Sequence, residues 1–105
     1  MSNCPSFPQV RVVGMHFRGT EAVEYVSALQ PGDTLFLERE PENPYDQNAI
    51  KVNTEGGMHL GYLERGQAAW ISGWMDEGNS FTVTVTEVLA YKNNNYPIVD
   101  LVPAE

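Results

Sequence analysis

The chain has 105 residues, room for one domain, and its 42% hydrophobic and 19% charged content is that of an ordinary globular domain. A helicase motor, a kinase or a Rossmann domain needs more sequence than this. The 14 acidic residues against 6 basic ones give a formal charge of −8, which excludes charge-driven coating of nucleic acid or anionic membrane. A polyanion would have to be gripped by a small local site.

The lone Cys4 excludes an internal disulfide and a cysteine-rich zinc site. The N-terminus has no basic segment leading into an apolar stretch, and no apolar run approaches the ~18 residues of a membrane span. These features predict a soluble protein of a reduced, cytoplasmic compartment with no membrane partner. Residues 1–8, with Pro5 and Pro8, read as a flexible arm, and 9–105 as a single domain.

In chain order, Val10, Val12 and Met15 to Phe17 predict a strand with a bulge or a close backbone approach at Gly14. From Thr20 to Leu29, Ala22, Val23, Val26 and Leu29 recur at helical spacing, with Glu21 and Glu24 suited to the helix start. Pro31-Gly32-Asp33 ends that helix in a turn. Thr34 to Glu38 is a second strand, and Glu42 to Gln47 is turn chemistry. Ala49 to Asn53 is a third strand, joined through Gly56-Gly57 to Met58–Leu63. Glu64 to Asp76 is a second helix, with Ala68, Ile71 and Met75 on one stripe and Trp70 and Trp74 on its neighbour. Phe81, Val83 and Val85 alternate with threonines, and Asn93-Asn94-Asn95 turns that strand back into Tyr96–Val102, which Pro97 confines to an edge or mouth position. Glu87 falls on the face of Val83 and Val85, so a bulge or barrel crossing is expected near Thr86. Five or six short strands and two helices predict a mainly β fold, a small bent OB-like or SH3-like barrel that functions through a loop-built mouth or face.

Catalytic and nucleotide-cradling motifs are absent: no Walker-type Gly-Lys-Ser/Thr, GxGxxG, GxSxG or HExxH string occurs. His16 and His59 lie far apart with no ligand partner at metal spacing, so neither a metal nor a cofactor is expected. Glu38, Glu40 and Glu42 alternate and can be read either as a cation site or as a solvated strand end flanked by Arg39. An enzyme is not expected.

The informative segment runs from Arg39 to Asn53 and on through Gly57–Arg65. Asn43-Pro44 turns Tyr45 and Asp46 out at a strand end. Two readings stand side by side. In one, Tyr45 packs on the barrel and Asp46 bonds its own backbone or that of Asn48 as an Asx-turn. In the other, Tyr45 is a stacking platform beside a hydrogen-bond acceptor, with Phe17, Tyr62 and Tyr96 as further aromatics at strand ends. His16 and Arg18 flank Phe17, and Arg65 follows Tyr62. Aromatics interleaved with local positive charge suit single-stranded nucleic acid.

Three strings, Val-Val-Gly-Met-His-Phe-Arg-Gly at 12–19, Arg-Glu-Pro-Glu-Asn-Pro-Tyr-Asp-Gln-Asn-Ala-Ile-Lys-Val at 39–52 and Gly-Tyr-Leu-Glu-Arg at 61–65, resemble the HIRAN domain. That module occurs at the N-terminus of certain DNA-repair ATPases and alone in bacteria; a bare domain beginning at Met1 suits a bacterial or phage source. The resemblance implies a module that binds the 3′-hydroxyl end of single-stranded DNA as an accessory to repair or replication, with a DNA-processing protein as a further partner. By motif, Tyr45 and Phe17 would sandwich the terminal bases and Asp46 would accept a hydrogen bond from the 3′-hydroxyl. Tyr62 and Arg65 would face phosphates, His16 would support the nucleotide, and Tyr96 would stack at the far side. His16 and Phe17 stand where the well-known relative has arginine and tyrosine, so weak binding through about two or three phosphates is expected. The alternatives are a protein-interaction module docking through Trp70 and Trp74 and, more distantly, a metal-dependent hydrolase using Glu40, Glu42 and Asp46.

Overall fold

Six antiparallel strands, each turning branched apolar residues inward on one face, close on themselves in the computed structural model, which describes residues 3–104. The elements are β1 (Phe7–Val13), a 3₁₀ turn (Met15–Phe17), α1 (Thr20–Ser27), β2 (Thr34–Arg39), β3 (Ile50–Asn53), β4 (His59–Leu63), α2 (Arg65–Asp76), β5 (Phe81–Tyr91) and β6 (Asn94–Pro103). Around the barrel the order is β1-β4-β3-β2-β5-β6. The closing strand is β1: Val10 and Arg11 pair with β6, and Val12 and Val13 pair with β4. A small mainly β barrel with two helices is thus what the alternation predicts and what the chain forms. Among the described residues no helix is long and apolar enough to cross a membrane.

The interior holds Val10, Val12, Leu35, Ile50, Val52, Leu60, Val83, Val85, Val99 and Leu101, all buried. Full burial of such side chains stabilises by roughly 1.5–3 kcal/mol each against leaving them exposed. Ala22 and Val26 of α1 and Ala68 and Ile71 of α2 join the same cluster. Glu64 caps α2, its carboxylate accepting from the Gly66 amide at 2.7 Å. The expected bulge is present: Val85 opposes Val99 and Glu87 opposes Ile98, so Thr86 is the extra residue and Glu87 is exposed rather than buried. Pro97 opposes Val88 beyond the last β6 residue that β1 reaches, Ile98, where a missing N–H interrupts no ladder with β1.

Four expectations need correction. Met15 to Phe17 do not extend the first strand: Gly14, at φ 83°, turns the chain into the 3₁₀ turn, closed by Phe17 N–H to the Gly14 carbonyl at 3.1 Å. The first helix ends at Ser27, before Pro31, although Leu29 remains buried. The β5–β6 turn uses Lys92 and Asn93, both at positive φ, so Asn94 and Asn95, read as turn residues, belong to β6. Strand β1 starts at Phe7, inside the segment read as an arm; Met1 and Ser2 lie outside the described residues.

Gly61 sits where β1 leaves β4. A Cβ there would collide with the Val13 carbonyl oxygen, a backbone atom with little room to yield. Gly61→Ala is expected to destabilise the fold by about 1–3 kcal/mol, read as a lower urea midpoint at unchanged slope. An unchanged midpoint would show that β1 can retreat at no cost.

Candidate nucleic-acid interface

The β2–β3 connection builds the first half of the site, and Asn43 organises it. The Asn43 side-chain oxygen accepts from the amides of Tyr45 (2.9 Å) and Asp46 (3.0 Å), while its amide nitrogen donates to Glu40 Oε1 (2.7 Å). Glu40 Oε1 also accepts from the Tyr62 hydroxyl at 2.8 Å, and Lys51 Nζ lies 3.9 Å from Glu40 Oε2. The hydrogen bonds from Asn43 and Tyr62 hold the Glu40 carboxyl below its ordinary range against the opposing effect of desolvation. Desolvation and the neighbouring Glu40 carboxylate push the Tyr62 phenol up. This carboxylate is therefore a structural anchor, not a loose strand end. Among the described residues no group of three His, Cys, Asp or Glu side chains is arranged to hold a metal ion.

Of the first reading of the Tyr45-Asp46 turn, the Asx-turn is present and the packing of Tyr45 is not. Asp46 Oδ1 accepts from the Asn48 amide at 2.9 Å, the Asx-turn, which leaves Oδ2 facing Arg65 Nε at 3.7 Å. Tyr45 does not pack on the barrel: its relative exposure is 87%. A tyrosine so exposed on a hydrogen-bonded turn has a free ring face and little freedom to retreat. The Arg65 side chain is itself open to solvent, so its contacts with Asp46 and the Tyr45 carbonyl are weak.

Tyr45, Asp46, Tyr62 and Arg65 line one cleft of about 730 Å³, together with Arg18 and Glu42. His16, Phe17 and Tyr96 line a second of about 790 Å³. Val13 is common to both, and the Gly14–Arg18 segment forms the ridge between them, Phe17 on one side and Arg18 on the other. The structure thus gathers the predicted residues on adjoining clefts but puts Tyr45 and Phe17 in different ones. Phe17 is 75% exposed and its ring lies 4.1 Å, centre to centre, from that of His16. Arg18 Nη1 donates to His59 Nδ1 at 3.3 Å, while His59 Nε2–H donates to the Gly61 carbonyl at 2.9 Å. Burial pushes the His59 imidazole below its ordinary range, which suits the neutral acceptor that Arg18 needs. The sequence reading left out the side chains of Asn43 and Glu40 as anchors and Arg11, Leu89 and Tyr91 as cleft residues. An asparagine two residues before an exposed aromatic, in the Asx position of a turn, was the available signal for the first.

A closed six-stranded barrel with two helices, whose one face carries two adjoining aromatic-rimmed clefts, defines a class of small β-barrel domain. Residues 7–105 match the HIRAN domain, and the chain belongs to that family. It is 36% identical over 84 residues to the helicase-like transcription factor of Oryctolagus cuniculus, covering 80% of this chain and 7% of that protein. It is 39% identical over 64 residues to a Fanconi-associated nuclease 1 homolog of Arabidopsis thaliana, covering 60% of this chain and 7% of the relative. The chain therefore spans only a small part of the curated relatives it matches. Among solved structures, a protein from Lactobacillus plantarum superposes with a TM-score of 0.76 at 29% identity, covering 94% of this chain and 95% of that one. The HIRAN domain of the human helicase-like transcription factor superposes with a TM-score of 0.72 at 25% identity, covering 93% and 74%.

Proposed function

We propose that the protein is a binding module for single-stranded DNA ends that takes the 3′-hydroxyl terminus in the first cleft, as an accessory to DNA repair or replication. The observation that carries this reading is the Tyr45-Asp46 turn, an open stacking ring beside a carboxylate with one oxygen spent on the Asx-turn and the other turned toward Arg65. A carboxylate accepts a charge-assisted hydrogen bond from a terminal sugar hydroxyl, whereas a terminal phosphate or a continuing strand sets negative charge against it. Tyr45 and Phe17 supply stacking on either side of the ridge, worth roughly 1–3 kcal/mol per base. His16 supports the strand from the ridge, Tyr96 lines the far cleft, and Tyr62 and Arg65 face the backbone.

Charge placement supports the same reading. Of the six Lys and Arg side chains, Arg18 and Arg65 line the first cleft, Arg11 lines the second and Lys92 stands at the adjacent hairpin tip. A chain of net charge −8 thus sets most of its cations around one face. Membership of a family whose relatives here bear helicase and nuclease names agrees with DNA processing by partner domains or proteins. A second reading, docking of a protein through α2, is favoured by Trp70, which is 77% exposed.

Anisotropy of a short 5′-labelled strand at low salt tests the proposal. The 3′-hydroxyl form is expected to bind about tenfold more tightly than the 3′-phosphate form, and Asp46→Ala to erase that ratio. Equal affinity of the wild-type protein for both strands overturns the end reading. Binding to neither leaves α2 and a protein partner as the alternative to pursue.

A further inference from the structure

The second cleft is unlike the first in its charge. The first carries Glu40, Glu42 and Asp46 beside Arg18 and Arg65; the second is lined by Arg11 and His16 and, among the described residues, by no carboxylate, on a chain with 14 acidic residues. Its remaining wall is apolar and aromatic, formed by Phe17, Leu89, Tyr91 and Tyr96. Tyr91 is 61% exposed and is held out by the β5–β6 hairpin, whose last pair is Tyr91 with Asn94 and whose two turn residues, Lys92 and Asn93, both have positive φ. Lys92 Nζ lies 5.4 Å from the centre of the Tyr91 ring. A cation beside an exposed ring, next to an arginine and a histidine, suits a base with its phosphate and does not suit a purely apolar ligand.

We infer that single-stranded DNA continues from the first cleft over the Phe17 ridge into the second, where Tyr91 stacks an upstream base and Arg11 meets its phosphate. This inference rests on the proposed end binding and extends it. The carboxylate-rich cleft suits the end of a strand, where no phosphate follows, and the cationic cleft suits the phosphate-bearing body of the same strand. Val13 lines both clefts, so they adjoin across the ridge that the strand would cross.

The test is competition anisotropy with an oligothymidylate trinucleotide and octanucleotide, both with free 3′-hydroxyls. The octanucleotide is expected to bind wild-type protein roughly fivefold or more tightly than the trinucleotide. Tyr91→Ala is expected to bring that ratio close to one, Tyr91→Phe to keep it, and Arg11→Gln to lower the octanucleotide salt slope by about 0.7. A length ratio that survives Tyr91→Ala overturns the inference, as does a length ratio lost equally in Tyr91→Phe. If length dependence follows Tyr91 but the 3′-phosphate strand binds as well as the hydroxyl strand, the second cleft stands and the end reading fails. If neither oligonucleotide binds wild-type protein, both fail.

Discussion

Asn43→Ala is expected to cost about 2–3 kcal/mol of stability and to weaken binding of a 3′-hydroxyl oligonucleotide by roughly tenfold or more. The side chain makes three hydrogen bonds, two accepted from the amides of the residues that would meet the ligand and one donated to Glu40. Each contributes on the order of 0.5–1.5 kcal/mol net, somewhat more for the one to the ionised carboxylate. Alanine leaves Glu40 with one donor fewer beside Tyr62 and frees Tyr45 and Asp46 to leave the geometry that sets ring and carboxylate side by side. Affinity falls because ordering the turn then has to accompany binding. Asn43→Asp is expected to fare no better, since a second carboxylate would face Glu40 where the amide now donates. Urea unfolding and anisotropy on the same samples check both effects. An alanine variant with wild-type affinity would show that the turn is held by Pro44 and the strand ends alone.

This anchor marks the limit of what the primary structure discloses. Alternation identifies β2, β3, β4 and β5, and the misplaced parity of Glu87 reveals the bulge at Thr86, because period-2 burial leaves no other place for an exposed carboxylate. The same bulge hides the second cleft. Parity carried forward from Val83 and Val85 would send Leu89 and Tyr91 inside, whereas beyond the extra residue Val88 packs toward the core and Leu89 and Tyr91 are exposed. Gly14 was ambiguous for a related reason: a glycine in a β-branched run fits a bulge, a close approach or a left-handed turn, and only the neighbouring strand decides. Tyr45 and Asp46 were legible because Asn-Pro constrains the local backbone. Their separation from Phe17 was not, since it depends on how two loops distant in sequence meet over Val13.

Arg39→Ala is expected to destabilise the protein by about 2–4 kcal/mol, several times the cost of Asp76→Ala. The two residues form an ion pair at 2.9 Å, but they are not equal partners: the arginine side chain is 13% exposed and the aspartate side chain 56%. An ion pair so open at one end is worth roughly 0–1 kcal/mol. The larger share comes from the other face of the guanidinium, where Nη1 donates to the Ala49 carbonyl at 2.7 Å and Nη2 to the Gln47 carbonyl at 3.0 Å. Those carbonyls lie at the far end of the connection that carries Asn43, Tyr45 and Asp46, and Asp76 is the last residue of α2. Arg39 therefore closes the β2–β3 connection on itself and ties it to the helix. Alanine strips the buried Ala49 carbonyl of a charged donor, a loss that solvent makes good poorly. Arg39→Lys is expected to recover only a fraction, because a single ammonium cannot span both carbonyls and the carboxylate. Equal losses in Arg39→Ala and Asp76→Ala would assign the stability to the ion pair instead. The loop would then be held by its own turn chemistry.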